Sequence, residues 1–338
     1  MSLTIGIFGV TGAVGQELLS VIERKSFPVR NLRVFASTRS AGKKIDTYLG
    51  KVIVEDAGTA DFTGLDLAFF AIGGGWPREN APKATAAGCY VIDNSSTFRY
   101  DKNVPLIIPQ VNPEAIGKSK LIANPNCTTA IAIIPIYHVY KKFGIRKAIF
   151  STYQAASGAG TEGITELLST TREYLDGNPG RHEVFPHPLA FNLIPQIDVF
   201  QKNGYTKEEM KVVWETRKIL GNENLAISCT AVRIPTVRAH SEAITLETDK
   251  KITPTAVKKL FSDVDGLDLV DDPASQRYPM PIQSAGKYNV EVGRIRQSLV
   301  FGMHGIDFFV SGDQLLRGAA LNAVEIGEIL IRKGVFKK

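Results

Sequence analysis

Residues 3–15 read Leu3-Thr4-Ile5-Gly6-Ile7-Phe8-Gly9-Val10-Thr11-Gly12-Ala13-Val14-Gly15, an apolar run that passes directly into three glycines at intervals of three. The apolar part suits a buried β-strand. The glycines permit a tight turn, close approach of a pyrophosphate, and close packing of the helix that follows. Amide groups at that helix start would bind the anion, helped by the helix dipole. The spacing is G-x-x-G-x-x-G, not the common G-x-G-x-x-G, so its weight comes from its place between a strand over 3–8 and an apolar-periodic helix over 12–24. A glycine-rich turn that binds no dinucleotide is the plainer alternative. The candidate cofactor contacts here are Gly9, Thr11, Gly12, Ala13, Val14 and Gly15.

The second predicted strand, 31–36, leads into Ser37-Thr38-Arg39-Ser40-Ala41-Gly42-Lys43-Lys44. Binders of NAD usually place an acid on the ribose hydroxyls about 20 residues past the glycines. This segment has none, and Arg39 with the hydroxyl of Thr38 or Ser40 would bind a 2′-phosphate directly. NADP is therefore the expected cofactor; a solvated basic loop is the competing explanation.

Further along, 65–72 and 90–93 read as short buried strands, with a helix over 79–87 between them that ends at Gly88. Such β–α alternation predicts a doubly wound α/β sheet, a Rossmann-like NADP-binding domain over 1–126. The style then changes. A helix over 128–143 precedes longer strands, 147–154, 225–234, 241–247 and 299–310, which look antiparallel, with amphipathic helices over 162–175 and 207–220. An α+β catalytic and dimerisation domain with a mainly antiparallel sheet is expected over 127–312. Apolar positions at helical spacing from Leu315 to Leu330 predict a closing helix over 313–332, ended by Gly334. This last segment, 313–338, is expected to complete the first domain.

Composition narrows the function. The chain has 338 residues, 44% apolar and 22% charged, the balance of a soluble globular protein. The formal charge of +6 is spread along the chain, which suits anionic small molecules and is weak evidence for nucleic-acid binding, so no nucleic acid is expected. No stretch is long and apolar enough for a membrane span, and the start lacks a basic leader. Three cysteines form neither a pairing set nor a metal-ligand spacing, so no metal is expected and reduced thiols in the cytosol are the simpler reading.

One of the three stands apart. In Asn124-Pro125-Asn126-Cys127-Thr128-Thr129, Pro125 keeps Asn124 extended and Asn126 is a good helix cap. Cys127 then falls in the first turn, where the dipole favours thiolate. Lowering a thiol pKa by one unit takes only about 1.4 kcal/mol. Cys89 and Cys229 sit inside apolar strand patterns and read as inert packing residues.

Taken together and in order, 9–15, Asn94-Ser95-Ser96-Thr97-Phe98-Arg99, 124–129, Gln154-Ala155-Ala156-Ser157-Gly158-Ala159-Gly160 and 233–241 resemble the aspartate-semialdehyde dehydrogenase family over nearly the whole chain. That resemblance implies NADP-dependent, reversible reductive dephosphorylation of L-4-aspartyl phosphate to L-aspartate 4-semialdehyde through a cysteine thioester. The reaction serves lysine, methionine and threonine biosynthesis, and the family suggests a homodimer. Cys127 is implied as the acylated nucleophile, His240 as acid/base, and Gln154 as the group that orients the acyl carbon. Arg233 is implied for the substrate carboxylate, where its planar fork binds two oxygens. Arg99 and Lys211 are implied for phosphate, Glu208 for the substrate amine, and Ser157, Gly158 and Gln314 near the nicotinamide.

The residues themselves add to this. Arg233 and His240 are an odd number of positions apart and would face opposite ways in one strand, but Pro235 should break it and let both converge. Glu208 and Lys211 share a helix face, which an ordinary exposed ion pair would equally explain. Thr206-x-x-Glu209 reads as a capping box. Gly73-Gly74-Gly75-Trp76-Pro77 departs from the small hydroxyl residues that relatives commonly place there. Rivals sharing the thioester chemistry are N-acetyl-glutamyl-phosphate reductase and glyceraldehyde-phosphate dehydrogenase; a non-catalytic NADP-binding protein is the rival from another class.

Overall fold

The computed structural model describes residues 2–178 and 180–336. Met1, Pro179, Lys337 and Lys338 lie outside the described residues, including the last two positions of the predicted closing segment 313–338. The chain divides into two compact units, 1–126 with 319–338, and 127–318.

In the first unit the apolar run forms β1 (Leu3–Phe8), buried at every residue, and α1 (Ala13–Arg24) follows with Gly12 as its N-cap. Gly9 has φ 91°, a conformation that side chains disfavour. A Cβ on Gly15 would lie 2.2 Å from Gly9 O, so helix and strand approach each other only because that position lacks a side chain. β2 (Val29–Ala36) and β5 (Leu67–Phe70) flank β1 in parallel. β6 (Tyr90–Asp93) and β7 (Leu121–Ala123) extend the sheet beyond β5.

On the other side lies a hairpin absent from the sequence reading, β3 (Lys44–Thr47) and β4 (Gly50–Asp56). The sheet order is β3-β4-β2-β1-β5-β6-β7, with β3 antiparallel and the rest parallel. The predicted strand 65–72 shortens to β5, and the predicted helix 79–87 starts earlier, as α2 (Trp76–Ala86). Pro77 fits that first turn because its missing N–H has no helical partner there. Trp76 is partly buried and packs against the core: its ring lies 4.8 Å from Phe70 and 5.2 Å from Phe8, and its Nε1 donates to Ala57 O. Full burial of an aromatic such as Phe8 or Phe70 stabilises the fold by about 1.5–3 kcal/mol.

The closing segment is helical over a shorter span than 313–332. Asp313 and Gln314 lie in the turn after the last strand, Leu316–Ala320 is π-helical, and the terminal helix is Leu321–Arg332. It packs on α1, where Lys25 pairs with Glu325 and Glu328 at 3.6 and 3.3 Å.

The second unit opens with α3 (Cys127–Phe143) and is built on six strands. These are β8 (Lys147–Gln154), β9 (Ala226–Arg233), β10 (His240–Glu247), β11 (Leu267–Leu269), β12 (Val290–Gln297) and β13 (Gly305–Gly312), in the order β11-β12-β13-β10-β8-β9. Most pairs are antiparallel, but β8–β9 and β11–β12 run parallel, which corrects the expectation for 147–154 and 225–234. The predicted strand 299–310 begins only at Gly305; the residues before it turn the chain between β12 and β13 and place His304 in a 3-10 turn, not a strand. Helices α4 (Gly160–Leu175), α5 (Lys207–Leu220), α6 (Pro254–Phe261) and the short α7 (Pro281–Ser284) also belong to the unit. The boundaries of α5 match the sequence reading because both ends are marked. Thr206 and Glu209 form the capping box, and Gly221 closes the helix with φ 64°.

Candidate active site

Cys127 is the first residue of α3, half-buried, and forms no disulfide. Cys89 and Cys229 are buried, and burial pushes the Cys89 thiol up to about 12 and the Cys229 thiol higher still. Both are protonated packing residues. Only Cys127 combines partial exposure with a helix start.

What lets the chain pass close to Cys127 is Gly318. A Cβ there would stand 2.7 Å from Cys127 Cβ and 3.0 Å from its Cα, closer than real side chains approach. Nothing in the local sequence marks Gly318, because the constraint comes from contact between the two ends of the unit.

Gln154 closes β8 on the covered face of the sheet. Its Nε2 donates to Glu208 Oε1 at 3.2 Å, and its Oε1 accepts from Thr152 at 3.0 Å. Both ends of the amide are used, so its orientation is fixed. From α5, Lys211 donates to Glu208 and to Asp198, each at 2.9 Å. Burial alone would lower the Lys211 pKa, but the two carboxylates outweigh it and keep the ammonium charged. The side chains of Glu208 and Lys211 are 6% and 14% exposed, which removes the exposed ion pair as an explanation. Buried ion pairs of this kind add little net stability, because desolvation offsets their attraction.

Arg233 ends β9 and His240 begins β10, with the intervening Pro235 outside both strands. The structure brings them together at Gly158: a Cβ on Gly158 would lie 2.7 Å from Arg233 Nη1 and 3.3 Å from His240 Nε2. Arg233 donates to Ala155 O at 2.5 Å. Burial lowers its pKa, while Glu208 and Cys127 favour its charge, so the guanidinium and the thiol sit within electrostatic reach of each other. His240 is fully buried; burial and the Arg233 cation hold its pKa down to about 3, against the opposing pull of Glu208. Its Nδ1 accepts from the Ala155 amide at 3.1 Å, and its Nε2 is buried with no hydrogen-bond partner among the described residues.

Behind His240, Ala239 has φ 71°, rare for a residue with a side chain. Its amide donates to Gln314 Oε1 at 2.8 Å, and Gln314 Nε2 donates to Ser157 Oγ. Asp313 holds the same turn, accepting from Arg238 at 2.5 Å and from Gly286 N at 2.6 Å. Gln314 and Ser157 thus brace the histidine loop.

Sequence reasoning missed one acid in this layer. Glu242 lies two residues after His240, on the same strand face, fully buried, with neither carboxylate oxygen hydrogen-bonded among the described residues. Burial, reinforced by Glu208, raises its pKa well above the usual range. The two-residue offset was the available signal.

In the first unit, the glycine turn fits a dinucleotide. Gly12 caps α1 without any side-chain hydrogen bond, so the first-turn amides of Ala13 and Val14 have no side-chain acceptor at the cap. Thr11 is exposed at this turn, and Gly9 and Gly15 leave no room for side chains. Arg39 is exposed at the end of β2, with Ser40 buried beside it. The segment itself has no acid, but the sheet brings one: Asp56 pairs with Ala36 across β2–β4 and accepts from Thr38 at 2.9 Å. Arg99, in the same unit, is 7% exposed and donates to Asn124 O at 2.8 Å and Asn94 O at 2.7 Å.

Among the described residues no group of acids, histidines and cysteines is arranged to hold a metal ion, and no helix is long and apolar enough to cross a membrane.

Residues 4–119 match the semialdehyde dehydrogenase NAD binding domain, and 136–317 match the semialdehyde dehydrogenase dimerisation domain. The chain is 43% identical to the aspartate-semialdehyde dehydrogenase of Aquifex aeolicus, covering 99% of this chain and 100% of that one. It is 41% identical to the Bacillus subtilis enzyme, over 97% of each chain. The crystal structure of aspartate-semialdehyde dehydrogenase II from Vibrio cholerae, complexed with ASA, superposes with a TM-score of 0.95 at 40% identity, over 98% of this chain and 99% of that one. With two domain matches in order and relatives aligned end to end, this chain belongs to the aspartate-semialdehyde dehydrogenase family of oxidoreductases.

Proposed function

We propose that the protein catalyses the NADP-dependent, reversible reductive dephosphorylation of L-4-aspartyl phosphate to L-aspartate 4-semialdehyde through a thioester on Cys127. The observation that carries this is that one unit holds a half-buried thiol at a helix start and, facing Gly158, a buried guanidinium, Arg233, beside a buried imidazole, His240.

In the forward direction the Cys127 sulfur attacks the acyl carbon, a C–S bond forms, and phosphate departs with the electron pair of the broken C–O bond. Gln154, fixed by Thr152 and Glu208, orients the acyl group. Arg233 receives the substrate carboxylate, Glu208 its ammonium, and Arg99 and Lys211 the phosphate. Gly9, Thr11, Gly12, Ala13, Val14 and Gly15 would hold the pyrophosphate, Arg39 and Ser40 the 2′-phosphate, and Ser157, Gly158 and Gln314 the region of the nicotinamide. When bound, NADPH supplies the hydride that reduces the thioester carbon. The tetrahedral oxygen next to His240 then re-forms its carbonyl, and the sulfur leaves.

The reaction serves lysine, methionine and threonine biosynthesis. The protein works as a homodimer in the cytoplasm; the match to a dimerisation domain supports the dimer.

The test is nicotinamide turnover in both directions with purified protein. NADPH formation from aspartate semialdehyde should require phosphate, and NADPH oxidation should proceed with aspartyl phosphate and not with N-acetyl-glutamyl phosphate. Equal or faster turnover of the latter would overturn the substrate assignment.

A further inference from the structure

Gly163, Glu166 and Leu167 stand three and four positions apart and so share one face of α4. That face meets the segment Arg181-His182-Glu183-Val184-Phe185, in which the first four residues are exposed and only Phe185 is buried. With one side chain in the core, such a segment needs polar bonds to hold its backbone in place.

Glu166 supplies them. Its Oε2 accepts from the Glu183 and Val184 N–H groups, each at 2.6 Å, and its Oε1 accepts from the Phe185 N–H at 3.1 Å. Among the described residues those three N–H groups have no backbone acceptor. A carboxylate that gathers three consecutive amides makes charge-assisted bonds, which are shorter and stronger than neutral ones.

The clamp ends at the residue that touches the site. The Phe185 ring is packed with Leu167, Leu189 and Ile194, and Gly163 leaves it room: a Cβ there would stand 3.1 Å from Phe185 Cζ. The Arg233 guanidinium carbon lies 5.7 Å from the centroid of the same ring, within cation–π range. The backbone of Arg233 is held separately, by hydrogen bonds to and from Ile194 at 2.9 and 2.8 Å. Ile194 therefore fixes where the arginine starts, and Phe185 with Ala155 O fixes where its charged end stops.

We propose that Glu166 is a positioning residue for substrate binding: by clamping 183–185 to α4 it keeps the Phe185 ring against Arg233, so that the guanidinium presents its fork to the substrate carboxylate. This deepens the reading above and rests on its assignment of Arg233.

The experiment uses the full chain and the variants Glu166→Ala, Phe185→Leu and the two combined. NADPH formation is followed from aspartate semialdehyde, phosphate and NADP. Each single change should raise the KM for aspartate semialdehyde about tenfold, the size of one desolvated cation–π contact. The kcat and the KM for phosphate should hold, because the lost contact serves binding of the carboxylate alone. The double variant should be no worse than either single one, since both act through the same ring. Trypsin should cut after Arg181 faster in Glu166→Ala than in the unmodified protein, which reports release of the clamp itself.

An unchanged KM for aspartate semialdehyde in Glu166→Ala would overturn the positioning role and leave the assignment of Arg233 standing. So would losses that multiply in the double variant, equal losses of affinity for phosphate, or unchanged trypsin cleavage. The assignment of Arg233 has its own control in 3-aminopropanal, the same aldehyde without the carboxylate. The unmodified protein should use it far less well than aspartate semialdehyde; equal use would sink that assignment and this inference with it.

Discussion

Gly318→Ala adds one methyl group where it should matter most. That residue lies in the π-helical stretch Leu316–Ala320 and does not have a positive φ, so the backbone itself would welcome alanine. Helix propensity alone favours the change by about 1 kcal/mol. Against this, the new Cβ would stand 2.7 Å from Cys127 Cβ and 3.0 Å from Cys127 Cα. Ordinary carbon contacts lie near 3.5–4.0 Å, so Cys127 or the 318 segment must retreat by about 1 Å. Overpacking of this kind costs about 1–3 kcal/mol of stability, which leaves a net loss of about 0–2 kcal/mol after the propensity gain. The effect on catalysis should be larger. A 1 Å misplacement of a reacting group costs about 10²-fold, equivalent to about 2.7 kcal/mol in the barrier. The assay compares thermal midpoint, kcat and the rate of Cys127 alkylation in the same preparations. The expected result is a shift of a few degrees in the midpoint, kcat down about a hundredfold, and altered alkylation. A variant that folds well, alkylates normally and turns over at the original rate would refute the idea that Gly318 sets the position of the sulfur.

Two other variants test neighbouring claims. Glu242→Gln should stabilise the protein increasingly as pH rises. The folded-state pKa of Glu242 is raised, so above about pH 4.5 the unfolded chain releases a proton that the folded one keeps, and folding pays about 1.4 kcal/mol per pH unit until the folded pKa is reached. Denaturant melts from pH 4 to pH 8 should show the variant gaining on the wild type along that slope; parallel curves would mean Glu242 is ionised in the folded protein. Arg39→Ala should lower kcat/KM for NADPH by about 10- to 100-fold, the worth of one charge-assisted contact, and leave NADH use unchanged. Equal losses with both cofactors would show that Arg39 does not read the 2′-phosphate and that the carboxylate of Asp56, bonded to Thr38 beside it, needs a larger part in the account.

How far the sequence went depended on whether a constraint was local. β1, the glycine turn and α1 were legible because strand, turn and helix follow one another within the chain. The bounds of α5 were legible because Thr206, Glu209 and Gly221 punctuate it. Strand direction in the second sheet was not. β8 alternates buried and exposed residues because one face is covered, and that alternation is the same whether its neighbour β9 runs parallel or antiparallel. The β3–β4 hairpin escaped notice because Val54 is its only buried residue and its apolar run, Val52-Ile53-Val54, is short.

The candidate site divides the same way. Cys127 showed itself through the proline and asparagine before it. The convergence of Arg233 and His240 followed from Pro235. Asp56, Gly318 and the Ala155–His240 hydrogen bond depend on sheet order and on contacts between distant segments, which no local pattern records. The glycine-rich departure at 73–75 is followed by Trp76, which packs against Phe8 and Phe70, and this packing accounts for the tryptophan without reference to the cofactor.

The thioester is the point on which the account turns, and it can be seen directly. Protein mixed with aspartyl phosphate in the absence of NADPH, quenched in acid and digested, should yield the peptide containing Cys127 with an aspartyl group that hydroxylamine removes. Addition of NADPH before the quench should discharge it. An unmodified Cys127 under conditions where turnover proceeds, or an acyl group on another residue, would contradict the account.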